Sequence, residues 1–126
     1  MGLHLSGIAA GADVLVRKCF FTGGDARGIL IENSSGGVII KKSQVGGVTS
    51  IGIDLENSDG VRISRNLVGG NPGASYGVLM GAGSDDNVIT GNEIFNFTSD
   101  VQDGGSSNCW RRNNFATGSV PSGGCF

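Results

Sequence analysis

Apolar residues along this chain alternate with polar ones at period two, in short runs that return about every two dozen positions. One series of runs reads VLVRKCF from Val14, VIIKKSQV from Val38, VRISRNLV from Val61, NVITGNEI from Asn87 and NCWRRNNF from Asn108. The starts lie 24, 23, 26 and 21 residues apart. A second series reads GLHL at Gly2, GILI at Gly28, GIDL at Gly52 and GVLM at Gly77, with a degraded copy, DVQD, from Asp100. Period two is the signature of a strand, and a repeat of this length marks a stacked solenoid. Between the series sit ENSSGG, ENSDG, GAGSDD and DGGSS, rich in the residues that close short corners. No stretch shows the i, i+3, i+4, i+7 spacing of a helix. The prediction is an all-β solenoid of about five coils, 21–26 residues each, over residues 1–115, with a capping tail over 116–126.

Aligning the repeats predicts the inward columns. The first strand of each coil contributes Leu3, Ile29, Ile53, Val78 and Val101, then Leu5, Ile31, Leu55, Met80 and Asp103. The second contributes Val14, Val38, Val61, Asn87 and Asn108, then Val16, Ile40, Ile63, Ile89 and Trp110. A third strand carries Phe21, Val45, Val68, Ile94 and Phe115. One column is polar: Cys19, Ser43, Asn66, Asn92 and Asn113. A buried amide must be satisfied, so Asn66, Asn92 and Asn113 are expected to form a structural ladder, each bonding its own coil and the next.

Composition agrees with this picture. The chain has 24 glycines and two prolines in 126 residues. A short solenoid exposes its terminal edges, and GLHL begins within a strand, so the expectation is a piece of a longer rod or an open end packed on a partner. No basic start followed by an apolar run marks a secretory leader, and no run approaches a membrane span. Cys109 and Cys125, 16 residues apart, are expected to close the tail as a disulfide, which implies an oxidising compartment. Cys19, in the polar column, is expected to be a buried free thiol.

Segments such as GIDLENSDGVRISRN and GVLMGAGSDDNVITGNEIFN resemble the right-handed parallel β-helix repeat of the pectin-lyase-like superfamily. The resemblance runs from about Gly28 to Phe115, and more loosely from Gly2. It implies the β-helix fold and an extracellular or cell-surface setting. The functions it implies range over polysaccharide lyases, glycoside hydrolases, uronan epimerases, tail-spike domains and adhesin rods. The CW…N…P…C ending looks like the tail of secreted bacterial β-helix proteins.

The catalytic motifs of those enzymes are absent: no GHG, NTD, RIK or DPHE occurs. Glycoside hydrolysis needs two carboxyls across the scissile bond. Asp85 and Asp86 are adjacent, but they lie in a turn sequence, GSDDN. Asp54 is an outward residue of the first strand whose column neighbours are Leu30 and Leu79, so no acidic cluster is expected there. The single His4 rules out a zinc site made with several histidines. No phosphate-binding glycine motif occurs. MGAGSDDNV partly matches a calcium-binding nonapeptide, but only once, so calcium is the one cofactor the sequence admits and none is expected.

Charge supplies the candidate binding residues. The net charge is −2, yet eight of nine basic residues fall in one strand region of the repeat: Arg17, Lys18, Lys41, Lys42, Arg62, Arg65, Arg111 and Arg112. Stacked coils would set them in a stripe at roughly 4.8 Å intervals. Like charges that close repel unless counter-charges or a ligand relieve them, and Glu32 and Glu56 are expected to give partial relief. The stripe reads either as a groove for an acidic polysaccharide or as a solvated face whose charges deter edge pairing; nucleic acid is not the expected partner, since no exposed aromatic series accompanies the stripe. Three readings follow: a carbohydrate-binding or structural module, the C-terminal part of a lyase, hydrolase or epimerase, and a tail-spike-like assembly module that forms homo-oligomers.

Overall fold

The computed structural model of the protein describes residues 1–22 and 24–120. The first coil holds β1 (Leu3–Ser6), β2 (Asp13–Arg17) and β3 (Phe20–Phe21). The second holds β4 (Arg27–Glu32), β5 (Gly37–Lys41) and β6 (Gln44–Val48). The third holds β7 (Ile51–Glu56), β8 (Arg62–Ser64) and β9 (Leu67–Gly70). The fourth holds β10 (Tyr76–Met80), β11 (Val88–Thr90) and β12 (Glu93–Phe95). Beyond them come β13 (Ser99–Asp103), β14 (Cys109–Arg111) and β15 (Gly118–Ser119). Every pairing is parallel, between strands one coil apart. The result is a right-handed parallel β-helix with about four complete coils and no helix among the described residues. The first sheet runs β1-β4-β7-β10-β13-β15, the second β2-β5-β8-β11-β14 and the third β3-β6-β9-β12.

The inward columns have the register that the repeat alignment predicts. Leu3 pairs Ile29, Ile29 pairs Ile53, Ile53 pairs Val78 and Val78 pairs Val101. In the second sheet Val16 pairs Ile40, Ile40 pairs Ile63, Ile63 pairs Ile89 and Ile89 pairs Trp110. Ile29, Ile40, Ile53, Ile63 and Ile89 are fully buried, so burial of these side chains, at about 1.5–3 kcal/mol each, drives the stacking. Glycine opens each copy of the first-sheet motif because the third strand packs there. A Cβ on Gly52 would lie 2.5 Å from Val68 Cγ1, and one on Gly77 would lie 2.3 Å from Ile94 Cγ2.

Three polar ladders close the corners. The predicted one is present: the Cys19 N–H donates to Ser43 Oγ, Ser43 N–H to Asn66 Oδ1, Asn66 N–H to Asn92 Oδ1 and Asn92 N–H to Asn113 Oδ1. Asn87 and Asn108 form a second, in which Val61 N–H donates to Asn87 Oδ1 and Asn87 N–H to Asn108 Oδ1. The third is made of serines: Ile8 N–H donates to Ser34 Oγ, Ser34 N–H to Ser58 Oγ and Ser58 N–H to Ser84 Oγ. A residue with positive φ precedes each ladder residue, as in Lys42 (φ 52), Asn57 (φ 47) and Asp86 (φ 55). The left-handed step turns the next side chain inward, where it takes up the amides of the corner.

At the far end, the inward Asp103 is satisfied by Trp110, whose Nε1–H donates to Oδ2 at 2.8 Å. Buried Asp100 accepts from Ala116 and Thr117 N–H, and so draws β15 onto β13 as a further parallel strand. Cys19 is free but only partly buried, and its thiol donates to Arg17 O. The expected partner of Cys109, Cys125, lies outside the described residues.

Candidate functional site

Outward positions of the second sheet form two neighbouring columns. One runs Leu15, Ile39, Arg62, Val88 and Cys109; the other runs Arg17, Lys41, Ser64, Thr90 and Arg111. At the corner that follows stand Lys18, Lys42, Arg65, Gly91 and Arg112, all with positive φ. The cations therefore occupy three columns, with Arg62 opposite Ile39 rather than opposite Lys41.

This register makes a groove. Ser64, Thr90 and Gly91 are short, so in the two middle coils the face sinks between longer side chains. The hollow has a volume of about 570 Å³ and is walled by Lys41, Lys42, Arg62, Arg65, Arg111 and Arg112. Its long dimension, from Lys41 to Arg111, spans three coil steps, roughly 14 Å. Of the predicted binding residues, Lys41, Lys42, Arg62 and Arg65 line it, whereas Arg17 and Lys18 stand one coil outside. The small floor residues were not picked out from the sequence. The signal for them was the same alignment, in which Ser64 and Thr90 replace the cations of neighbouring coils.

Among the described residues, none of the eight cations forms an ion pair. The ion pairs among the described residues are Met1 with Asp25, His4 with Glu32, and Arg27 with Asp54 and Glu56. The relief expected from Glu32 and Glu56 goes elsewhere, because both point out from the first sheet. Lys18, Lys42, Arg65 and Arg112 also adopt the left-handed region (φ 52–57), which costs about 1 kcal/mol each for a residue with a Cβ. Gly91 occupies the same place in the fourth coil without that cost.

The weak catalytic candidates lie on other faces. Asp85 and Asp86 are corner residues: Asp85 Oδ1 accepts from Ser106 N–H at 2.7 Å, and Asp85 N–H donates to Asp59. Asp54 is outward in register, beside Leu30, yet only 1% exposed. The column neighbours Leu30 and Leu79 are not its only surroundings. Arg27 crosses from the preceding coil, with Nε 3.3 Å from Asp54 Oδ2 and Nη2 3.4 Å from Glu56 Oε1. Leu30 is also buried on this outer face, and Asp54 Oδ1 has no hydrogen-bond partner among the described residues.

Burial raises the Asp54 pKa from 3.8 to about 6; the Glu56 charge adds to the rise and Arg27 opposes it. The folded state then holds this proton more tightly than the unfolded chain. The favourable contribution is complete below pH 3.8 and is lost as pH rises to about 6, on the order of 3 kcal/mol in all. Asp54→Asn keeps the shape and removes the titration. Its melting temperature minus that of the parent should rise between pH 4 and pH 7; a constant difference would contradict the assignment.

A family model described as periplasmic copper-binding protein (NosD) matches residues 2–124. No curated protein and no solved structure matches the chain. Copper sites are built from imidazole, thiolate and thioether donors. Here His4 is bound to Glu32 at 2.7 Å on the first sheet, and Cys19 lies at the corner between the other two. Met80 is fully buried. No group of three His, Cys, Asp or Glu side chains converges among the described residues. These donors do not fit a resident copper ion.

Proposed function

The chain belongs to the NosD family, and we propose that it binds an acidic polysaccharide along the cationic groove of the second sheet. The observation that carries this reading is six cations walling one groove, without a carboxylate partner among the described residues, in a chain of net charge −2. Arg62, Arg65, Arg111 and Arg112 offer planar forks that engage carboxylates in pairs, and Lys41 and Lys42 act as point charges. Ser64 and Thr90 on the floor offer hydroxyls that donate and accept, suited to sugar hydroxyls. A ligand of this kind relieves the repulsion, and its binding accounts for cations held where glycine would fit. The periplasmic description of the family supports a setting outside the cytoplasm.

The reading is one of binding. Among the described residues no carboxyl group lines the groove, so they do not assemble the paired acid and carboxylate of glycoside hydrolysis there.

The test compares the parent with Lys41→Ala/Lys42→Ala/Arg62→Ala/Arg65→Ala on polygalacturonate, alginate, heparin and neutral glycans. Binding to the acidic polymers should weaken with salt and fall about 30-fold in the variant, for four charge contacts of about 0.5 kcal/mol each. Arg65→Gly alone should bind more weakly while melting higher, because it releases the left-handed strain. Equal binding by parent and variant would overturn the proposal.

A further inference from the structure

One corner away from the groove, the outer face of the third sheet carries a second hollow, of about 170 Å³. Gly46, Gly47 and Gly69 form its floor; Gln44, Leu67 and Phe95 stand around it. The depression has a local cause. β6 slips in register against β9 between Val45 and Val48, and Gly47 takes φ 70 at the irregularity. A bulge of this kind bends the strand and re-aims its face. Phe95 lies against Gly69, where a Cβ would come 2.8 Å from its Cζ, yet the residue stays 40% exposed. Phe20, 70% exposed, stands beside Gln44 in register.

The two hollows are neighbours along the chain. Gln44 follows Lys42 by two residues and Leu67 follows Arg65 by two, with Ser43 and Asn66 turned inward between them. Two residues span at most about 7 Å. A glycan lying in the groove therefore meets the third sheet within the length of about one sugar unit.

We infer that this hollow is a sugar subsite. It takes the apolar face of a pyranose ring of the same acidic polysaccharide whose carboxylates the groove engages. The inference rests on the binding reading above and adds the group that distinguishes a sugar from other anions. The face of Phe95 suits the C–H groups of a sugar ring, as aromatic faces suit positively polarised edges. The glycine floor lets a flat ring approach the backbone. The Gln44 amide supplies one donor and one acceptor group for ring hydroxyls, the small polar complement typical of such pockets. Among the described residues no charged side chain lines the hollow, so it recognises the ring and leaves the carboxylate to the cations.

The experiment uses the full chain and two anionic polymers, oligogalacturonate and polyphosphate, of which only the first has a sugar ring. Phe95→Ala should weaken oligogalacturonate about three- to tenfold and leave polyphosphate unchanged. Phe95→Trp should retain the binding. Gly46→Val offers a second route: a Cβ there meets only Thr22, at 3.8 Å, so the backbone admits the side chain, whose methyl groups narrow the hollow. It should weaken oligogalacturonate alone in the same way. Oligogalacturonate binding that both variants retain, while the groove variant loses it, overturns the subsite and leaves the groove. Equal loss of both polymers in both variants also overturns it. A parent that binds neither polymer overturns the groove reading and the subsite together. A single-stranded oligonucleotide that depends on Phe95 more than oligogalacturonate does would reassign the hollow to a nucleobase.

Discussion

Ile63→Asp should yield no folded protein. Ile63 is fully buried midway along the second-sheet column, paired to Ile40 on one side and Ile89 on the other. A carboxylate there has no cation or amide to meet, and an unpaired charge in such surroundings costs several kcal/mol or forces its own neutralisation. The lost side-chain burial and the gap against both neighbouring coils add about 2–5 kcal/mol. Together these match the whole stability of a domain this size. Because each coil contacts only its neighbours, the break would also separate the first two coils from the rest. Far-UV circular dichroism and soluble yield read this out. A soluble variant with the parent's melting temperature would show that the column is misassigned.

Asn92→Leu should destabilise by about 3 kcal/mol or more while keeping the volume of the side chain. Asn92 Oδ1 accepts from both the N–H and the Nδ2–H of Asn66, and its own Nδ2–H donates to Ile63 O and Asn113 Oδ1. Leucine would orphan the Asn66 amide and the Ile63 carbonyl, which are buried; each orphan costs about 1–3 kcal/mol. Asn92→Ser should be milder, because Ser43 does the same task two ladder steps along, accepting from Cys19 N–H. Chemical denaturation of the three proteins should give the order parent, serine, leucine. Indistinguishable leucine and parent midpoints would contradict the ladder's role.

Much of the fold was legible because a solenoid repeats its own alignment. The glycines of GILI, GIDL and GVLM and the period-two runs align every coil, and the register follows. The polar column was equally plain, since Ser43, Asn66 and Asn92 stand in equivalent places. The serine ladder was not, because Ser34 and Ser35 are adjacent in a turn sequence and nothing local says which one faces in. Asp54 shows a different limit. Alternation puts it on the outer face, which ordinarily means solvent. Beside it stand Leu30 in register and Arg27, reaching across from the preceding coil, and that reach depends on side-chain paths rather than on period. The groove falls between these cases. Its cations were visible as a stripe, while its depth depends on Ser64, Thr90 and Gly91, residues conspicuous only for being small.

The central claim is that the cationic groove is where an acidic glycan binds, and amide spectra of the labelled protein titrated with oligogalacturonate test it most directly. The account predicts saturable shifts at Lys41, Lys42, Ser64, Arg65, Thr90 and Gly91 that vanish at high salt. Shifts confined to the first sheet, or none at any concentration, would contradict it.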